Sequence, residues 1–221
     1  MNKSFFNLPV QNTWSTKPYA TKFMHGWFGF ANKAILNAAF LSKPKNILEL
    51  GAWYGKSTKY LLDNCPDANV FSVDIWDDKL SWIQKDSTLN AIVKEHPVFE
   101  TFLANFWDYR NRLCPIKMSS LEAIPLLSQH GIEVDCVYLD SGHYYEETKK
   151  EVRAVKKHFP KAFLCGDDYY RDDCRKGLNE ISEELGMSLL IIHNAWILLD
   201  DMNKHDFKTF TNYDYSRFYH P

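Results

Sequence analysis

Two acidic turns and one imidazole mark where this chain could do chemistry. Asp140 and His143 stand three residues apart just after an apolar run at 134–139. Asp167-Asp168 follow a second apolar run, 162–165, one strand–helix–strand crossover further on. A spacing of three lets Asp140 and His143 face one cavity from a single strand-to-helix turn. Carboxylates that converge on one crevice repel unless a cation or protons offset them. An all-oxygen ligand set of Asp140, Asp167 and Asp168 suits a hard ion, Mg2+ before Mn2+ or Ca2+, rather than zinc. The imidazole exchanges a proton near neutrality, since its ordinary pKa is about 6.5.

A second constellation lies upstream. Glu49-Leu-Gly-Ala-Trp-Tyr-Gly-Lys-Ser57 joins an apolar run to a helical one through a glycine-containing turn, and Asp74 ends the next apolar run. A carboxylate at that strand end can accept both hydroxyls of a ribose. The turn is not a dinucleotide fingerprint, because Trp53 and Lys56 stand where G-x-G-x-x-G needs glycines. Trp53 would block a pyrophosphate at the helix start, so the ligand suggested is a nucleoside without one.

These turns need elements to hold them. Apolar spacing predicts a helix over 28–41, ended by Lys43-Pro44-Lys45, then a strand at 46–50 and a helix at 56–64 closed by Pro66. Strands follow at 70–74, 114–117, 134–139 and 162–165. Helices are expected at 98–109, at 121–127 with an interruption at Pro125, at 146–159 and at 174–185. The strands 188–192 and 196–199 form a closing hairpin. Strands separated by helices imply a doubly wound, Rossmann-like α/β domain: a mostly parallel, seven-stranded sheet with an antiparallel edge strand. One domain spans 1–221, with an N-terminal arm and helix over 1–44. An insert over 75–112 carries Trp76, Trp82, Phe99, Phe102 and Trp107 and is expected to cover the cleft as a lid.

Composition narrows the partners. With 26 basic and 28 acidic residues the formal charge is -2, which argues against nucleic acid or an anionic membrane surface. Five cysteines, an odd number without C-x-x-C spacing, indicate neither a disulfide framework nor a zinc site, as in a reduced, cytoplasmic protein. The apolar stretches are too short to span a bilayer.

Taken together, the segments resemble the class I S-adenosylmethionine-dependent methyltransferases. The 49–57 turn looks like their motif I in the catechol O-methyltransferase form. Phe102-Leu-Ala-Asn105, Met118-Ser-Ser-Leu-Glu-Ala-Ile-Pro125, Tyr138-Leu-Asp-Ser-Gly-His143 and Gly166-Asp-Asp-Tyr169 resemble the macrolide-sugar O-methyltransferase group. The resemblance implies that Gly51, Trp53, Gly55 and Ser57, with Glu49 and Ala52 beside them, surround the methionine part of the cofactor. Asp74 would hold the ribose, and Ile75, Trp76, Ser119 and Ser120 would lie near the adenine. Asp140 would border the cofactor and, with Asp167 and Asp168, bind Mg2+. His143 would be the general base for a small-molecule or sugar hydroxyl. Met118 departs from the glycine usual there, and the insert has no catechol-type counterpart of this length.

Other readings are weaker. A non-catalytic cofactor-binding module has no need of a base beside an acidic cluster. A hydroxylase-like protein of the same fold would favour two histidines and one carboxylate. A nucleic-acid methyltransferase would carry an Asn/Asp-Pro-Pro-aromatic motif. Assembly with a second copy of the chain is left open.

Overall fold

Pro44 and Gly51 bracket the apolar run Asn-Ile-Leu-Glu-Leu, and this run forms the central strand β1 (Asn46–Leu50). The computed structural model describes Leu8, Trp14 and residues 16–200. Residues 1–7, 9–13 and 15 of the N-terminal arm, and 201–221 with the aromatic tail over 213–221, lie outside the described residues. Ahead of β1 runs α1 (Phe30–Phe40). After it come α2 (Lys56–Asn64), β2 (Asn69–Asp74), α3 (Ser81–Lys85), α4 (Ser87–Glu95) and α5 (Val98–Phe106). Next are β3 (Leu113–Lys117), α6 (Ser120–Gln129), β4 (Cys136–Leu139), α7 (Tyr145–His158) and β5 (Phe163–Gly166). The run closes with α8 (Asp172–Glu184), β6 (Ser188–Ile192) and β7 (Ala195–Leu199).

The seven strands form one sheet in the order β3-β2-β1-β4-β5-β7-β6. β1 to β5 are mutually parallel, and β7 runs antiparallel to both neighbours. The reversed strand therefore sits one place in from the edge formed by β6. Alternating side chains feed two cores. Ile47 and Val70 pack with Ile35, Leu61 and Phe102 on one face, while Leu48 and Phe71 pack with Leu127, Val152 and Ile181 on the other. Covering both faces is what makes the strands near-continuous apolar runs. All five cysteines are buried and none is bonded to another.

Two expectations shift, and a third, the strand at 114–117, forms around its proline. Pro125 does not interrupt α6, because the Ser119–Glu122 capping box fixes the helix start upstream and the turn propagates past the missing donor. Pro115 sits within β3, which an edge strand tolerates. The insert holds two helices not foreseen, α3 and α4, the latter capped by Asp86, whose carboxylate accepts the N–H groups of Thr88 and Leu89.

The insert also divides by packing. Phe102 and Phe106 of α5 are fully buried, and Trp76 lies between Phe99 and Phe102 with ring centroids 4.9 and 4.7 Å away. That part is core. α3 instead leaves Trp82 exposed, 5.3 Å from the ring of Trp53.

Candidate active site

β1 lies between β2 and β4, whose connections leave on opposite sides, so the carboxyl ends of β1 and β4 border the crevice where open α/β sheets bind ligands. The two ends are drawn together closely. Asp140 N–H donates to Leu50 O at 2.7 Å, and Gly51 N–H donates to Val73 O at 2.8 Å. Gly51 has φ +90°, and a Cβ there would lie 2.1 Å from Asp140 O, so only glycine fits. Gly55, at φ +95°, is capped by Phe106, 2.1 Å from where its Cβ would be.

Asp74 organises this turn. Its Oδ2 accepts the N–H groups of Ala52 and Trp53 at 3.0 and 2.9 Å, and its Oδ1 accepts that of Trp76 at 2.7 Å. Burial pushes its pKa up, and these backbone donors hold it back. They also stabilise Trp53 and Trp76 at positive φ, 50° and 43°, which bulky residues adopt only when the surroundings over-determine them. Glu49 is wholly buried. Thr58 and Ser72 each donate a hydroxyl to its Oε2 at 2.6 Å, and burial lifts its pKa to about 7. Ser57 is buried in the first turn of α2 beside it.

The adenine side differs from expectation. Trp76 is 2% exposed, sealed under α5 with its Nε1–H on Trp53 O, so its ring is not open to a ligand; Ile75, 49% exposed, faces out instead. Ser119 is engaged in the α6 capping box, and the hydroxyl of Ser120 donates to Glu151 of α7.

The acidic cluster is assembled, and its charges are answered from within the protein. Asp168, at φ +65°, places Oδ2 2.6 Å from His143 Nδ1 and Oδ1 3.0 Å from Arg171 Nε. Asp167 Oδ2 accepts an amide N–H of Asn32 at 2.6 Å, while its Oδ1 accepts from Asn194 and from the backbone of Asp168. Desolvation and then the charges of Asp167 and Asp168 push the pKa of the half-buried Asp140 well up. Burial alone would lower the His143 pKa, but the bond and charge of Asp168, with Asp140 behind it, raise it to about 10. The same partnership lowers Asp168 against its own burial.

This donor set does not fit the expected shared Mg2+. Both oxygens of Asp167 are taken by amide and backbone donors, and both oxygens of Asp168 by cations. Among the described residues no group of three His, Cys, Asp or Glu is arranged to hold a metal ion. His143 and Arg171 answer the charge of Asp168, and Asn32, Asn194 and the backbone of Asp168 answer that of Asp167. The chemistry of S-adenosylmethionine does suit the glycine turn at the switch point, which Asp74 fixes, with Ile75 exposed beside it as an apolar edge.

Asn32, Asn194 and Arg171 were not legible as site residues, since they reach the crevice from α1, the β6–β7 turn and the residue before α8. His25, in the segment ahead of α1, accepts Trp53 Nε1–H at 3.2 Å, and burial and then the charge of Lys56 lower its pKa. A separate cleft of about 590 Å3 between residues 16–21 and the α4–α5 junction includes none of the site residues. No helix among the described residues is long and apolar enough to cross a membrane.

Known proteins agree with this architecture. The methyltransferase-domain family matches residues 48–169. No curated protein sequence matches the chain. The S-adenosylhomocysteine-bound methyltransferase of Podospora anserina shares 15% identity over 76% of each chain, with a TM-score of 0.52. A calicheamicin methyltransferase shares 15% identity over 78% of this chain and 79% of its own, at 0.54. A cofactor-bound protein from MTB shares 16% over 81% and 83%, also at 0.54. With more than half its length matched from β1 through the acidic turn after β5, the chain belongs to the methyltransferase-domain family, as a class I S-adenosylmethionine-dependent methyltransferase.

Proposed function

We propose that the chain transfers a methyl group to a hydroxyl of a small molecule, a sugar or glycoside, with His143 as proton acceptor and without a metal ion. The observation that carries this reading is the 2.6 Å contact between His143 Nδ1 and Asp168 Oδ2 at the switch-point crevice. Asp168 orients the imidazole and stabilises its cationic form, as a carboxylate does in other histidine bases. Arg171 holds that carboxylate directly, and Asp167, clamped by Asn32 and Asn194, accepts the backbone N–H of Asp168. S-adenosylmethionine supplies an electrophilic methyl group when bound. The chain's part is to hold the acceptor hydroxyl in line and take its proton.

The acceptor class rests on two features. The exposed aromatic rings at this end of the sheet, Trp27, Trp82, Tyr144 and Tyr170, offer flat apolar faces of the kind that line small-molecule sites. The calicheamicin enzyme is a TDP-rhamnose 3'-O-methyltransferase on the same fold. The exposed Trp82 of α3, followed by α4, supports a covering role over the acceptor for this part of the insert. Incubation of the protein with S-adenosylmethionine and a panel of glycosides and nucleotide sugars, read by mass spectrometry, tests the assignment. A methylated product that His143→Ala does not form supports it, and methylation only of amines or carbon centres contradicts it.

A further inference from the structure

The turn that carries His143 and the loop that begins α6 meet on one carboxylate. Glu151 of α7 is 3% exposed. Its Oε1 accepts the hydroxyl of Ser141 at 2.7 Å and also the hydroxyl of Ser120. Ser141 lies two residues before His143, and Ser120 opens α6 after β3, so the partners are 10 and 31 residues away along the chain. Between them Gly142 packs so tightly that a Cβ would fall 2.6 Å from Glu151 Oε2. Thr148, one turn earlier on α7, donates its hydroxyl to Gly142 O at 3.3 Å.

The anchor is rigid. Val152 and Val155 of α7 are fully buried against the sheet with Leu127, Leu139 and Leu164. Burial raises the Glu151 carboxyl pKa and the two serine hydroxyls oppose that rise, so both loops supply the hydrogen bonds that offset the burial of this polar group. Neither loop has another side chain joining it to the other among the described hydrogen bonds.

We propose that Glu151 is a positioning residue that couples the loop opening α6 at Ser119-Ser120 to the turn bearing His143. The coupling rests on the cofactor site described above. A ligand that orders Ser120 also orders Ser141 and the imidazole beyond it. By linkage, a change at Ser141 alters cofactor affinity.

Crossed substitutions in the full chain test this with S-adenosylhomocysteine as the probe and no acceptor. Ser141→Ala should weaken its binding about five-fold by calorimetry. Ser120→Ala should move the imidazole 15N resonances of His143 in the unliganded protein. The double variant should bind no worse than the weaker single one, and Glu151→Gln, which keeps an accepting oxygen, should behave as wild type. Wild-type affinity in Ser141→Ala together with unmoved His143 resonances in Ser120→Ala would overturn the coupling, as would additive losses in the double variant. If the wild-type chain does not bind S-adenosylhomocysteine, the cofactor assignment fails, while the His143 resonances still decide whether the two loops are linked. The serine variants keep the carboxylate, so the test does not depend on a Glu151 deletion folding.

Discussion

His143 and Asp168 face each other across the crevice with Nδ1 and Oδ2 2.6 Å apart, and Arg171 holds the other oxygen of the same carboxylate at 3.0 Å. One carboxylate thus serves two cations, and it sits on a residue at positive φ, a conformation Asp tolerates better than most residues. If the imidazole takes the acceptor proton, His143→Ala should lower kcat by about 10²–10⁴. Binding of S-adenosylhomocysteine should stay close to wild type. Unchanged turnover in that variant would remove His143 from the reaction.

The pH dependence follows from the same pair. His143 is raised from its ordinary 6.5 to about 10, so its ion pair stabilises the fold fully below 6.5 and the contribution is lost as pH rises through 10. In the folded enzyme the unprotonated base accumulates only as pH approaches 10, so kcat/KM should rise with pH along an acid limb that levels off near that value. Asp168→Asn removes the charge that raises the imidazole, so its acid limb should move to lower pH. Superimposable profiles for wild type and Asp168→Asn would show that another group sets the limb.

Much of this site was legible because the sequence punctuates it. Pro44, Gly51 and Pro66 bracket β1 and α2, whose bounds match the expected ones, and every candidate carboxylate does stand at a strand end. Hydrogen-bond partners were not legible. Asn32 lies 135 residues from Asp167, and no local spacing distinguishes it from any other asparagine in a helix. Glu151 sits in a helix crowded with charge, where only the fold reveals that it points inward beside Val152. Trp76 failed as an adenine wall for the same reason: an aromatic residue at a strand end serves ligand or core according to what packs over it, here α5.

The metal expectation has a direct check. Because amides and cations already occupy the oxygens of Asp167 and Asp168, excess EDTA should leave turnover and thermal stability unchanged. A loss of activity that Mg2+ restores would show that the cluster rearranges around an ion.

The divided insert gives opposite outcomes for two aromatic residues. Phe106→Ala should cost about 3–5 kcal/mol of stability, since it empties a fully buried site against Gly55. Trp82→Ala should change stability by no more than about 0.5 kcal/mol. Hydrogen exchange over 77–92 should slow when cofactor and acceptor bind, while α5 is protected throughout. Full protection of 77–92 in the free protein would make it core as well.

Calorimetric titration of the full chain with S-adenosylhomocysteine, with NAD as the control, tests the central assignment most directly. A glycine turn whose next positions are Trp53 and Lys56, with Asp74 behind it, predicts one saturable site for S-adenosylhomocysteine and no heat with NAD. Asp74→Ala should weaken that site by about 1.5–3 kcal/mol or more, since the residue both accepts hydrogen bonds and orders the turn. Saturable binding of NAD, or no binding of S-adenosylhomocysteine, would contradict the account.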